Sequence, residues 1–206
     1  MDAIKKQIEE VQNTSQYYEL MQQLGDCYAS VENYDEAQRC YEKATNLSPD
    51  EAGPYVGIGV IAFSQGKLED ADISFRVACR LDNKCSRAYA GRAMIAQERK
   101  DFKGAFELYL KCMEIDPDNL TALLGLFQTS CQMGTFSEVI NYLELYLDSH
   151  PGDTSVMFSL AALYMKEGKL LECSRLLKDV ILLDENNSDA RDLLEEVEHN
   201  MAQEKV

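Results

Sequence analysis

Residues 18–51 read YELMQQLGDCYASVENYDEAQRCYEKATNLSPDE. Met21, Leu24 and Tyr28 stand at i, i+3 and i+7, the spacing of one helix face, and Ala37, Tyr41 and Ala44 mark out a second helix. Glu32-Asn33 breaks the pattern between them. Pro49 ends it, because proline lacks an amide hydrogen and biases the residue before it away from helix. The stretch predicts two helices joined by a tight turn. Such a pair cannot bury its own apolar faces, so neighbouring pairs must stack on it.

The same pattern returns every 34 residues along the 206-residue chain. Gly25 is followed by Gly59, Ala93, Phe127 and Ala161. Ala37 is followed by Ala71, Ala105, Val139 and Cys173, and Tyr41 by Phe75, Tyr109, Leu143 and Leu177. Pro49, Pro117 and Pro151 share a fourth column with Asn83 and Glu185. Five units fit: 18–51, 52–85, 86–119, 120–153 and 154–187. Gly66, Gly134 and Gly168 fall in the turns between paired helices, where the third unit carries Lys100-Asp101. Small residues in the Gly25 column would let paired helices approach closely, and the large Tyr41 column would fill the space between units. Arg92 takes the place of leucine in its column, where its stem can pack while its head reaches an acid or solvent. The fourth unit is the least regular: Phe127, Ser130 and Tyr146 suggest a large-for-small exchange across one helix pair.

These residues, Met21-x2-Leu24-Gly25-x2-Tyr28 followed by Ala37-x3-Tyr41, Ala44 and Pro49, resemble the tetratricopeptide repeat. The resemblance covers 170 of 206 residues. It implies an all-α, right-handed superhelical solenoid of antiparallel helix pairs, with ligand contacts on the concave face from the first helix of each unit. The matching positions here are Gln22, Val56, Ala90, Leu124 and Phe158. A second row holds Asp26, Val60, Met94, Gln128 and Ala162, and a third includes Phe63 and Met165. One branch of the family clamps a chaperone carboxylate through Lys, Arg and Asn. The positions here are Gln22, Asp26, Gly57, Arg87 and Gly91, of which Arg87 alone is basic, so that activity is not expected.

Gly57, Gly91 and Gly125 form a further series within the first helices. A mid-helix glycine costs about 1 kcal/mol relative to alanine, so three in register call for an explanation. One reading is a smooth floor for a partner backbone, and the other is close helix packing. Elsewhere Arg76, Arg80 and Lys84 stand four apart in a second helix and form a possible second, basic patch, with inter-repeat ion pairing as the plainer reading.

The two ends differ from the units. Residues 1–17 contain Ile4, Ile8 and Val11 ahead of Asn13-Thr14-Ser15, which predicts one amphipathic helix over about 3–12, a half-repeat cap or an interaction helix. Residues 188–206 carry Ala190, Leu193, Leu194 and Val197 among many acids, the composition of a solvating helix that closes an array.

Composition narrows the function. Basic residues number 20 against 36 acidic, a net charge of −16, which disfavours nucleic acid and anionic membrane surfaces. No signal-peptide run or membrane-length apolar window occurs, so a soluble cytoplasmic protein is expected. The seven cysteines lack Cys-x-x-Cys, and His150 and His199 have no local ligand cluster, so neither a disulfide framework nor a metal is expected. No nucleophile elbow, phosphate loop or zinc-protease motif appears, and no catalytic residues or cofactor are assigned. The expectation is a non-catalytic scaffold or adaptor that holds a protein or peptide segment in an apolar groove. Self-assembly through the N-terminal helix, giving a homo-oligomer, and a regulatory subunit of an enzyme complex are the alternatives.

Overall fold

The computed structural model describes residues 2–203, with side chains over 13–203. Among the described residues there are eleven helices and no strand: α1 (Asp2–Ser30), α2 (Tyr34–Leu47), α3 (Ala52–Ser64), α4 (Leu68–Leu81), α5 (Ser86–Glu98), α6 (Phe102–Ile115), α7 (Leu120–Met133), α8 (Ser137–Ser149), α9 (Thr154–Lys166), α10 (Leu170–Leu183) and α11 (Ser188–Gln203). The chain divides into two compact units, Met1–Ile115 and Asp116–Val206. Each is an array of helix pairs, an all-α helical repeat.

The turn inside each pair is made the same way five times. Glu32, Gly66, Lys100, Gly134 and Gly168 all adopt a left-handed backbone, with φ of 59°, 73°, 62°, 71° and 74°. The residue after each donates its N–H five residues back, as Lys67 does to the Ala62 carbonyl at 2.9 Å and Lys169 to Tyr164 at 2.8 Å. This closes the helix by satisfying carbonyls that its last turn leaves open. Glycine adopts that conformation freely, whereas Glu32 and Lys100 hold it against steric resistance.

In the first unit, two aromatic rings lock the pairs together. Tyr41 of α2 lies between α1 and α3. A Cβ at Gly25 would come within 2.6 Å of its Cε1, and one at Gly57 within 2.5 Å of its Cε2. Phe75 of α4 repeats the arrangement between Gly59 of α3 and Gly91 of α5, at 2.7 and 2.5 Å. Both rings are buried. Gly57 and Gly91 therefore face inward, and close packing accounts for them.

In the second unit, Leu143 and Leu177 fill that column, and Tyr146 is buried where Ala44, Ala78 and Cys112 stand in the first unit. A smaller side chain in one column accompanies a larger one in the next, as the volume of a packed interior requires. Asn119, Asp153 and Asn187 cap α7, α9 and α11: each side chain accepts the N–H three residues on, at 3.0, 3.1 and 3.0 Å. Ala190 and Val197 seat α11 on this unit's core, with Lys178 of α10 paired to Glu198 at 3.0 Å.

The N-terminal segment departs from the expected break at Asn13-Thr14-Ser15, because α1 runs through it unbroken. Each of those residues costs only a few tenths of a kcal/mol in a helix, and neither glycine nor proline is present to stop propagation. The contacts of Ile4, Ile8 and Val11 lie outside the described side chains. Among the described residues no disulfide joins the cysteines: Cys40, Cys112 and Cys173 are buried, Cys79 and Cys85 half-buried, and Cys27 and Cys131 exposed.

Candidate functional site

Helices α1, α3 and α5 lie side by side in the first unit, α1 against α3 and α3 against α5. The middle helix, AGPYVGIGVIAFS, has no charged residue and is apolar on every side. Such a helix is normally covered all round. Two of its sides are covered: Gly57 faces Tyr41, Gly59 faces Phe75, and Val56 and Ile61 are buried. Val60, in contrast, is 41% exposed, and Phe63 is half-buried.

Around Val60 the neighbouring helices present further groups. Asp26 of α1 is exposed, Gln22 is half-buried, and Met94 of α5 is half-buried. Asp26 accepts a hydrogen bond from the Tyr41 hydroxyl at 2.7 Å. Burial, followed by that carboxylate, pushes the Tyr41 phenol well above its ordinary range. Gln22 likewise accepts from Tyr18 at 2.5 Å. The Asp26–Tyr41 bond could not be read from the sequence, since the two residues stand on different helices.

The expected site residues thus separate into two groups. Val56, Gly57, Ala90, Gly91 and Gly125 are buried, because each first helix turns that row toward the packed interior. Gln22, Asp26, Val60, Phe63 and Met94 reach the surface of the first unit. In the second unit Gln128 is exposed, and Leu124, Phe158, Ala162 and Met165 are half-buried.

The basic residues are partly spent on one another's neighbours. Asp72 of α4 pairs with Arg76 at 3.0 Å and approaches Arg99 at 3.8 Å and Arg92 at 3.9 Å, and Glu69 pairs with Arg99 at 3.2 Å. Arg92 keeps its Nε buried without a hydrogen bond. Ile73, Arg76, Cys79, Arg80 and Arg92 line a depression of about 600 Å³. Lys84 is exposed, and its backbone N–H is held by Asp82 at 2.8 Å. Among the described residues no group of three or more His, Cys, Asp or Glu could hold a metal ion. No helix there is long and apolar enough to cross a membrane.

Two tetratricopeptide repeat models match, one over residues 18–51 and one over 96–156. RNA polymerase II-associated protein 3 of Xenopus tropicalis is 30% identical over 50% of this chain and 16% of that protein. Small glutamine-rich tetratricopeptide repeat-containing protein 2 of Mycosarcoma maydis is 31% identical over 55% of this chain and 32% of its own length. The chain thus spans less than a third of these curated relatives. Among solved structures, pilF of Pseudomonas aeruginosa superposes with a TM-score of 0.75 at 18% identity, covering 93% of each chain. Yeast Tom70 gives 0.69 at 21% identity over 94% of this chain and 41% of that one. YrrB, described as a tetratricopeptide repeat protein with an unusual peptide-binding site, gives 0.66 at 16% identity over 84% and 89%. At those identities the likeness concerns the fold. Proteins of this kind are protein–protein interaction modules and are generally non-catalytic. Helix pairs in one repeating register, the shared left-handed turns and the two matching models agree: the chain belongs to the tetratricopeptide repeat family.

Proposed function

We propose that this chain is a non-catalytic cytoplasmic scaffold that holds a peptide segment or helix of a partner protein against the open side of α3. The observation that carries this is Val60, exposed on a helix with no polar side to offer water. A partner side chain laid over Val60, Phe63 and Met94 would remove apolar surface from water, while Gln22 and the Asp26 carboxylate supply hydrogen-bond acceptors at the rim. In the second unit, Leu124, Phe158, Ala162 and Met165 beside Gln128 form a smaller face of the same kind.

Val60→Glu tests the reading. Losing the burial of one valine and forcing a carboxylate against the partner should cost at least about 2 kcal/mol, some thirtyfold in affinity. Because Val60 is exposed, the helical circular dichroism spectrum and melting temperature should hold. Partners captured from source-cell lysate by the native chain should be lost from the variant. An unchanged set of partners would refute the face as the site and move attention to Arg76, Arg80 and Lys84.

A further inference from the structure

Leu24, Ile58, Leu126 and Leu160 hold one register of the first helices, and Arg92 stands in that register on α5. Leu126 is 0% exposed and Leu160 4%, so the register is a packing position. On α5 it carries a guanidinium instead. Beside it, where α5 packs on α4, lies the depression of about 600 Å³ lined by Ile73, Arg76, Cys79, Arg80 and Arg92. Arginines dominate that lining, and no acid belongs to it.

These arginines are short of anions. Asp72 is shared among Arg76 at 3.0 Å, Arg99 at 3.8 Å and Arg92 at 3.9 Å. The Arg92 side chain is 27% exposed, and its Nε is buried without a hydrogen bond. Arg80 is exposed and, among the described residues, forms no ion pair. From residue 73 to residue 97 the sequence has Arg76, Arg80, Lys84, Arg87 and Arg92 against the single acid Asp82. A half-buried guanidinium with an incomplete partner attracts an anion more strongly than one in open water, because the lower local dielectric strengthens the pairing.

Three features select the anion. Arg76 and Arg80 stand about 6 Å apart along the axis of α4. Alternate side chains of an extended chain point to one side and stand about 6.6 Å apart, so carboxylates at alternate positions would match the two arginines. Ile73, 63% exposed in the same lining, offers an apolar contact that an inorganic ion could not use. The chain as a whole carries −16. A nucleic acid or membrane surface spreading past the depression would meet that charge within a Debye length of about 8–10 Å, whereas a short segment need touch only the arginines.

We infer that this depression holds an extended acidic segment of a partner protein, with carboxylates at alternate positions on Arg76 and Arg80, Arg92 beside them, and an apolar side chain over Ile73. Its lining shares no residue with the face around Val60.

Fluorescence anisotropy of the full chain tests this. The probe is a short fluorescein-labelled peptide with glutamates at alternate positions, serines between them and one leucine on the glutamate side. It should bind, and binding should weaken as salt is raised. The same peptide with glutamines should not bind. Arg80→Glu, at an exposed position, should weaken binding about tenfold or more with the melting temperature unchanged. Arg92→Leu restores the apolar residue of its register. It should weaken binding about tenfold while the melting temperature holds or rises, whereas a purely structural Arg92 would lose stability and leave binding alone. Val60→Glu should leave peptide binding unchanged, which separates this inference from the partner-binding proposal. Inorganic phosphate at the peptide's concentration should not displace it, and single-stranded DNA of equal length should bind less tightly. Failure to bind, equal binding of the glutamine peptide, binding that either arginine variant leaves unchanged, displacement by phosphate or tighter binding of the DNA would each overturn the inference. So would self-association of the native chain that Arg80→Glu abolishes, which would give the depression to a second copy.

Discussion

Gly57→Ala should destabilise the first unit, although alanine is the better helix former. By propensity alone the change favours the folded state by about 1 kcal/mol. The structure opposes it. The new Cβ would come within 2.5 Å of Tyr41 Cε2, far inside a normal carbon–carbon contact. The ring has no free direction. Gly25 backs its other side, where a Cβ would stand 2.6 Å away, and its hydroxyl is tied to Asp26 at 2.7 Å. Overpacking of this kind costs about 1–3 kcal/mol, and a rigid site falls at the upper end. Strain on a hydrogen bond to a carboxylate adds to it. The net effect should be a loss of about 2 kcal/mol, or a fall of about 1 M in the urea midpoint. Urea unfolding followed by far-ultraviolet circular dichroism measures it. The decisive comparison is a Tyr41→Leu background, because leucine already serves that column at Leu143 and Leu177. With the ring gone, Gly57→Ala should turn neutral or stabilising, and the difference between backgrounds is the coupling between the two positions. A stabilising Gly57→Ala in the native chain, or an equal cost in both backgrounds, would refute the account of the glycine series.

Lys100→Gly should raise stability by about 0.5–1 kcal/mol, because φ at Lys100 is 62° and glycine relieves the left-handed strain; the urea midpoint reports it. Asp153→Ala should cost about 1 kcal/mol, since its carboxylate accepts the Ser155 and Val156 amides at the start of α9, and the same titration detects it. Burial pushes the Cys173 thiol from 9.0 up to about 11, so its contribution to stability is present in full below pH 9.0 and is lost as pH rises through about 11. The melting temperature should therefore fall across that window, and Cys173→Ala should flatten the fall.

The helix pairs and their turns were legible because their determinants are local. A 3–4 spacing of apolar residues reports one helix face, and repetition every 34 residues locates each turn even where Glu32 or Lys100 replaces glycine. The site was legible only in part. Placing Val56, Val60 and Phe63 on the first helix of a pair follows from register. Whether each meets water depends on which helix lies across from it, and register is silent on that. The glycines show the same limit. Their period was visible, but the rings that Gly57 and Gly91 admit come from different helices. The predicted break at Asn13-Thr14-Ser15 failed because weak helix formers do not stop a helix that its neighbours on both sides propagate.

Leu20 and Ile61 show the division between sequence and tertiary structure. Both stand on the first helix of a repeat unit, and the amino-acid pattern by itself places them there. Ile61 is 3% exposed because it is packed within its unit, while Leu20 is 55% exposed because among the described residues nothing covers it. Periodicity determined the all-helical repeat, its register and its turns, since those depend on residues a few positions apart. Tertiary packing decided which apolar residues remain open to a partner, since burial is a property of two surfaces and the sequence of one helix specifies only its own.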